Sequence, residues 1–271
     1  MAILPVTDPA DPRISQYRDI RERDLVGREK LFIAEGRVVV NMLLGSSRFR
    51  ALSLLIAEHR LAGVSDLLAK VPDGVDVFSA EQPVLDAIAG FPLHRGILAI
   101  GERTDVPEAG ALLQRLPEQA CILLLSGISN HDNMGGIFRN AAAFGADAVL
   151  LDADCCDPLY RKAIRVSVGG TLKVPYAKLG RDEDAVGLLQ RHGFELLGLT
   201  PAGSVLLHEV VPTQRTAIVL GAEGPGLAPQ LLGRMTGVAI PMAGGFDSLN
   251  VATTSGIVLH QLMIAAPRPA A

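Results

Sequence analysis

The sequence predicts an α/β protein in two parts, a small N-terminal α/β domain followed by a larger domain built on a parallel sheet. Three observations predict it. Short apolar segments alternate with stretches of helical periodicity along most of the 271 residues, the order that layered α/β folds require. In the second half these segments are apolar at nearly every position, the pattern of strands covered on both faces. Between the two series lies RTDVPEAGALLQRLPEQA, with two prolines and several charges, which reads as a linker with a short helix.

In the N-terminal part, FIAEG, ALSLLIA, VDVFSA and GILAIGE read as strands. The helical stretches between them are RVVVNMLLGSS, HRLAGVSDLLAKV and AEQPVLDAIAG. This places one domain at residues 1–101, a linker at 102–119 and a second domain at 120–271. The second series begins at CILLLSGI (121–128) and continues through DAVLLD, FELLGLT, TAIVLGAEG and GVAIPM. There is no low-complexity tract and no internal repeat.

Composition excludes several classes. No apolar run reaches the roughly 18 to 20 residues of a membrane span, so a soluble protein is expected. The start, MAILPVTDPADPR, lacks the basic and then apolar regions of a signal peptide. Cys121, Cys155 and Cys156 lack metal-ligand spacing and read as reduced, structural thiols of a cytoplasmic protein. A net charge of −4 argues against coating nucleic acid by charge alone, while leaving room for a local basic patch. RDIRERDLVGREK offers Arg18, Arg21, Arg23, Arg28 and Lys30, but interleaved Asp19, Glu22, Asp24 and Glu29 make it a solvated helix face laced with ion pairs. His59, His94, His192, His208 and His260 show no metal spacing.

Three polar loops follow apolar strands in the second domain, where open α/β sheets bind ligands. SGISNHDNMGGIFRNAAAFGADAVLL (126–151) carries Gly135 and Gly136 into a helix bearing Arg139, which by itself reads as a surface residue. AIVLGAEGPGLAPQLL (217–232) holds Glu223 among Gly221, Gly224 and Gly226 without dinucleotide or P-loop spacing. Glu223 could cap the next helix or face a ligand. In IPMAGGFDSLNVATTSGIVLHQL, Asp247 or Ser248 serves as a helix cap, which leaves Asn250 and the small and β-branched residues after it unexplained.

Together the loops resemble the three motifs, in order, of the SpoU-type, TrmH-like members of the SPOUT superfamily, RNA 2′-O-ribose methyltransferases. NMGGIFRNAAAFGAD, VLGAEGPGL and IPMAGGFDSLNVATTSGIVL carry the resemblance over roughly residues 120–265. KLFIAEGRVVVNMLL more weakly resembles the ribosomal-protein-like substrate-binding domain often fused ahead of it. One departure is Asn130-His131 where the first motif usually begins Asp-Pro, read as a loop substitution without mechanistic weight.

The resemblance implies a C-terminal SPOUT domain with a deep trefoil knot, an exception to the rule against threaded loops. It implies S-adenosylmethionine as cofactor, held by Leu220, Gly221, Glu223, Gly224, Ile240, Met242, Ser248 and Leu249. Arg139, Asn133, Glu223, Ser248 and Asn250 match the family's active-site positions, and Arg139, Arg161, Lys162, Arg165 and Ser167 would face RNA. No metal is expected. A homodimer is implied, with the site near the subunit interface and ribosomal RNA favoured over transfer RNA. Two rival readings are a catalytically silent RNA-binding relative, against which the intact site residues count, and a nucleotide-dependent oxidoreductase, whose G-x-G-x-x-G is absent.

Overall fold

Two sheets take up the apolar segments, one in each of two compact units. A computed structural model describes residues 2–18, 26, 30–90, 92–104, 106–244 and 248–265. The first unit comprises Met1–Asp105 with Asp157–Lys173, and the second Val106–Cys156 with Val174–Ala271. In chain order the elements begin with β1 (Ile3–Pro5), β2 (Leu31–Glu35), α1 (Arg37–Leu44), β3 (Phe49–Ala57), α2 (Ser65–Leu68), β4 (Asp76–Ala80), α3 (Gln82–Ala89) and β5 (Ile97–Arg103). There follow α4 (Ala109–Gln114), β6 (Ala120–Leu125), α5 (His131–Phe144), β7 (Ala148–Leu151), α6 (Arg161–Val166), α7 (Gly170–Lys173) and β8 (Tyr176–Lys178). Last come α8 (Ala185–Arg191), β9 (Glu195–Leu199), β10 (Val205–Leu206), β11 (Arg215–Leu220), α9 (Pro229–Leu232), β12 (Thr236–Ala239) and α10 (Val251–Ala265).

The first unit's sheet has the order β1-β4-β3-β5-β2. β1, β4 and β3 run parallel, while β5 is antiparallel to both β3 and β2. Leu55, Phe78, Leu85, Leu98 and Ile100 centre its core. Helix α3 has a proline in its first turn, where no amide is missed, and ends at Gly90 in the left-handed region, whose N–H donates to Asp86 O.

The second sheet, β10-β12-β9-β11-β6-β7-β8, is parallel throughout. Its middle strands β6, β11 and β7 are almost wholly buried, because helices cover both faces and leave no position wet. Phe138 of α5 packs edge-on to Tyr176 of β8 at 5.9 Å between ring centres. The sequence reading passed over β1, β8 and β10. Each has three residues or fewer and lies at a sheet edge, too short for a periodicity to register, and brevity itself protects an edge from foreign pairing. No helix among the described residues is long and apolar enough to cross a membrane.

The unit boundary differs from the expected one. Residues 157–173, placed by sequence in the second domain, pack with the first unit. Arg103 Nη2 donates to both carboxylate oxygens of Asp157 at 2.8 Å, and Arg161 pairs with the buried Glu35 at 3.1 Å. Arg48 donates to Leu172 O at 2.8 Å. The short helix expected within the linker is present as α4, which buries Ala109, Leu112 and Leu113 in the second unit's core. Charged partners so far apart in sequence leave no local signal.

Asp184 supplies a pH prediction. Its carboxylate accepts from Arg234 at 2.7 and 2.9 Å and from Gly187 N at 3.1 Å, where it caps α8. The Arg234 hydrogen bonds first, and the Gly187 amide second, hold its pKa down at about 2. A carboxylate whose folded pKa is lowered stabilises the fold above its unfolded value and loses that contribution as pH falls towards the folded one. The thermal midpoint is therefore expected to fall between about pH 4 and pH 2, and Asp184→Asn to flatten that part of the curve in calorimetric scans.

Candidate active site

The carboxyl ends of β9, β11 and β12 carry the loops that surround a cavity of about 580 Å³. All eight residues singled out for cofactor binding line it: Leu220, Gly221, Glu223, Gly224, Ile240, Met242, Ser248 and Leu249. The tight turn after β11 depends on Gly221, since a Cβ there would lie 2.4 Å from the Gly226 carbonyl carbon and 2.5 Å from Leu227 N. The turn closes through Gly226 N–H donating to Ala222 O at 3.0 Å. Thr200 and Pro201 after β9, and Thr254 on α10, also line the cavity and were missed. The loop after β9 has no glycine pattern, so only its place at a strand end could have marked it.

Three residues from three segments, a helix turn and two loops, meet around Glu223 of the cavity lining. Asn133, buried in the first turn of α5, donates through Nδ2 to Glu223 Oε1. Asn250 Nδ2 donates to Asn133 Oδ1 at 2.8 Å and to Glu223 Oε1 at 3.2 Å. Each amide thus has a determined orientation, because a carboxylate can only accept. Ser248 and Leu249 line the cavity outside this hydrogen-bonded group.

Two helix caps hold the arrangement. Asn130 Oδ1 accepts from Asp132 N at 2.8 Å and Asn133 N at 3.2 Å, so the Asn130-His131 departure preserves a capping side chain and makes His131 the first residue of α5. At α10 the structure corrects the expected cap. Asn250 Oδ1 accepts from Ala252 N at 2.9 Å and Thr253 N at 3.1 Å, whereas Ser248 precedes the helix and Asp247 lies outside the described residues. Asn250 therefore caps with its oxygen and binds the cluster with its nitrogen.

Close packing of α10 on α5 explains the small residues that follow. A Cβ on Gly136 would lie 2.7 Å from Ala252 Cβ. Asn140 Nδ2 donates to Ala252 O at 2.7 Å and to Ser255 Oγ at 2.9 Å, fastening the helices where they approach. Were the helices free to part, Gly136→Ala would stabilise by about 1 kcal/mol through helix propensity. The close approach reverses the sign: a loss of about 1–3 kcal/mol from overpacking is expected in denaturant titration.

The residues expected to face RNA separate into different settings. Arg139 is exposed on α5, has no hydrogen-bond or ion-pair partner among the described residues, and lies outside the cavity lining. Lys162 and Arg165 are exposed on α6. Arg161 is drawn into its pair with Glu35. Ser167 corrects the expectation outright: it is buried and donates to Ile164 O at 2.9 Å, the back-bond of a helix end rather than a surface contact.

Cys155 offers no nucleophile. Burial first, and the Asp152 charge next, push the Cys155 thiol up to about 12, so it stays protonated at neutral pH while accepting from Ile128 N at 3.3 Å. Among the described residues, no three histidine, cysteine or carboxylate side chains are grouped to hold a metal.

The family model for the SpoU rRNA methylase family matches residues 120–260. An uncharacterized tRNA/rRNA methyltransferase of Mycobacterium tuberculosis is 41% identical over 266 residues, covering 94% of this chain and 90% of that protein. The chain belongs to the SpoU rRNA methylase family. This SpoU methylase is also 31% identical over 213 residues to the 23S rRNA (guanosine-2′-O-)-methyltransferase RlmB of Acinetobacter baylyi, covering 75% of this chain and 84% of that one. An AdoMet-bound rRNA methyltransferase from Sinorhizobium meliloti shares its fold, with a TM-score of 0.80 at 23% identity over 98% of this chain and 99% of that one. Every cavity-lining residue, and the Asn133, Glu223 and Asn250 cluster, falls within the matched family segment of the SpoU methylase.

Proposed function

We propose that this SpoU methylase transfers a methyl group from S-adenosylmethionine to a ribose 2′-hydroxyl of RNA, with ribosomal RNA favoured over transfer RNA. The observation that carries the reading is the Asn133, Glu223 and Asn250 cluster set against a cavity at the ends of parallel strands. Its volume of about 580 Å³ suits a cofactor of nucleoside size. Leu199, Leu220, Val238 and Ile240 give it apolar walls, and Glu223 sets a carboxylate on its lining that complements a sulfonium cation. The ribosomal preference draws on the 23S specificity in the name of the Acinetobacter relative.

When bound, S-adenosylmethionine would supply a methyl already activated on sulfur, with S-adenosylhomocysteine as the leaving group and the 2′-hydroxyl proton released to solvent water. The chain must hold the hydroxyl in line. We assign that placement to Arg139, whose planar fork of donors suits ribose and phosphate oxygens. A guanidinium carries donors and no acceptor, which favours orientation over proton removal. Asn133, Glu223 and Asn250 fix the three loops around the cavity by neutral amide donors on one carboxylate, and Ser248 offers its hydroxyl to the ligand.

Two further parts of the reading are structural. A homodimer is supported by α10, which buries one side against α5 yet exposes Ile257, Met263 and Ile264 on another. A trefoil knot in the segment leading from β12 to α10 is what the family resemblance implies.

The test is transfer of labelled methyl to unmodified ribosomal and transfer RNA offered separately. Label in ribosomal RNA that resists alkaline cleavage at the marked nucleotide supports the reading. Failure of S-adenosylhomocysteine to bind at all would sink it.

A further inference from the structure

A second cavity lies within the first unit, far in sequence from the motifs. It encloses about 480 Å³ and is lined by Glu35, Gly36, Arg37, Val38, Arg60, His94, Arg95 and Val168, among others. Three arginines and a histidine from three separate segments converge on it. Glu35 is the one carboxylate of the lining, and its charge is answered by Arg161 at 3.1 Å. In a chain whose net charge is −4, such a concentration of cations is not the average surface.

The arginines are held in place by the backbone. Gly36, with φ +89°, and Gly96, with φ +62°, lack side chains where the stems of Arg95 and Arg60 pass. A Cβ on Gly36 would lie 2.8 Å from Arg95 Cδ, and one on Gly96 would lie 3.1 Å from Arg60 Cγ. The heads remain largely unspent. Arg60 reaches only His94 O and Arg95 only Glu35 O, each at 3.4 Å, and neither meets a carboxylate among the described residues. Arg37 is steadied by Asp66 at 2.7 Å and by Gly63 O at 2.7 Å. Val38 is 54% exposed on the lining, an apolar surface beside the cations. Val168 holds φ +52°, a conformation costly for a β-branched residue, where it borders the same space.

Free guanidinium forks in a concave site recognise phosphate oxygens, and an adjacent apolar side chain suits a sugar or base. We infer that this cavity is where the first unit grips the phosphate backbone of the RNA substrate. The inference rests on the proposed RNA methylation and adds the place where the RNA is held. The same phosphate chemistry is offered by a free nucleotide, so the test separates the two.

The experiment uses the full chain and unmodified ribosomal RNA transcribed in vitro, with affinity measured between about 50 and 200 mM salt. The double variant Arg60→Gln and Arg95→Gln is expected to bind RNA about tenfold or more weakly and to lower the salt slope by about 1 to 2, one for each phosphate no longer neutralised. Its S-adenosylhomocysteine affinity should equal that of the parent, which also shows that it is folded. Arg50→Gln, at an exposed arginine paired with Glu102 outside the cavity lining, is the control and should leave the slope unchanged. Parental RNA binding by the double variant would overturn the site while leaving methylation standing, as would an equal loss in the control. Displacement of RNA by micromolar adenosine monophosphate, beyond the effect of potassium chloride at equal ionic strength, would make it a nucleotide site instead. Absence of RNA binding by the parent itself would overturn both readings together.

Discussion

Replacing Arg139 with alanine is expected to lower kcat/KM for methyl transfer by about 100- to 1,000-fold, the range for removing a positioned donor from a reacting centre. The structure makes this a clean measurement. Arg139 is exposed and has no partner among the described residues, so its removal breaks no internal bond. A surface change of this kind alters stability by about 0.5 kcal/mol or less. S-adenosylhomocysteine affinity should also hold, since Arg139 lies outside the cavity lining. Arg139→Lys is expected to recover attraction to phosphate but little rate, because an ammonium is a point charge without the fork that fixes direction. Single-turnover transfer at saturating cofactor checks both variants. Activity of Arg139→Ala within threefold of the parent would remove Arg139 from the reaction.

Substitution of Asn250 has the second large effect, and two variants separate its two duties. Asn250→Ala removes the α10 cap, worth about 1 kcal/mol. It also takes the amide donor from Asn133 and Glu223, worth about 1 kcal/mol more. The thermal midpoint should drop by about 4–8 °C, with loss of cofactor affinity as the loops separate. Asn250→Asp retains an oxygen for Ala252 N and Thr253 N and so keeps the cap. It presents a second carboxylate to Glu223, however, and like charges at that range repel. Helix stability should therefore survive in this variant while cofactor binding falls at neutral pH and recovers in part as pH is lowered. Calorimetry of both variants checks it; equal loss of stability in the two would show that the amide nitrogen, not the cap, holds α10.

Much of this was legible in the residues. All-apolar segments such as CILLL and AIVL announced a sheet covered on both faces, and the glycines around Glu223 announced a tight turn. The cavity residues could be named because the three loops resemble, in order, the motifs of the SpoU-type family. What escaped the sequence was whatever depends on distant partners. Asn250 had no local reason once Asp247 or Ser248 was taken as the cap, and its two faces, one to the helix amides and one to Glu223, explain it. Ser167 looked accessible in a basic segment, yet its hydroxyl turns back to Ile164 O in a buried helix end. The second cavity was invisible because Arg37, Arg60 and Arg95 belong to separate segments, each unremarkable in its own neighbourhood. The basic stretch that did stand out in sequence lies mostly outside the described residues.

The assignment of residues 157–173 to the first unit bears on modularity. A chain whose units met at one point could be cut there and each half transplanted. Here a single cut near residue 105 would strip the excursion of its hosts: Asp157 would lose Arg103, and Arg161 would lose Glu35. Breaking a buried ion pair from one side costs roughly 3–5 kcal/mol, comparable to the whole stability margin of many domains. The second unit is thus no free-standing cassette. Exchanging the first unit for that of another methylase would demand that the excursion be exchanged with it, so that any lineage altering its first unit has two stretches of gene to change in concert.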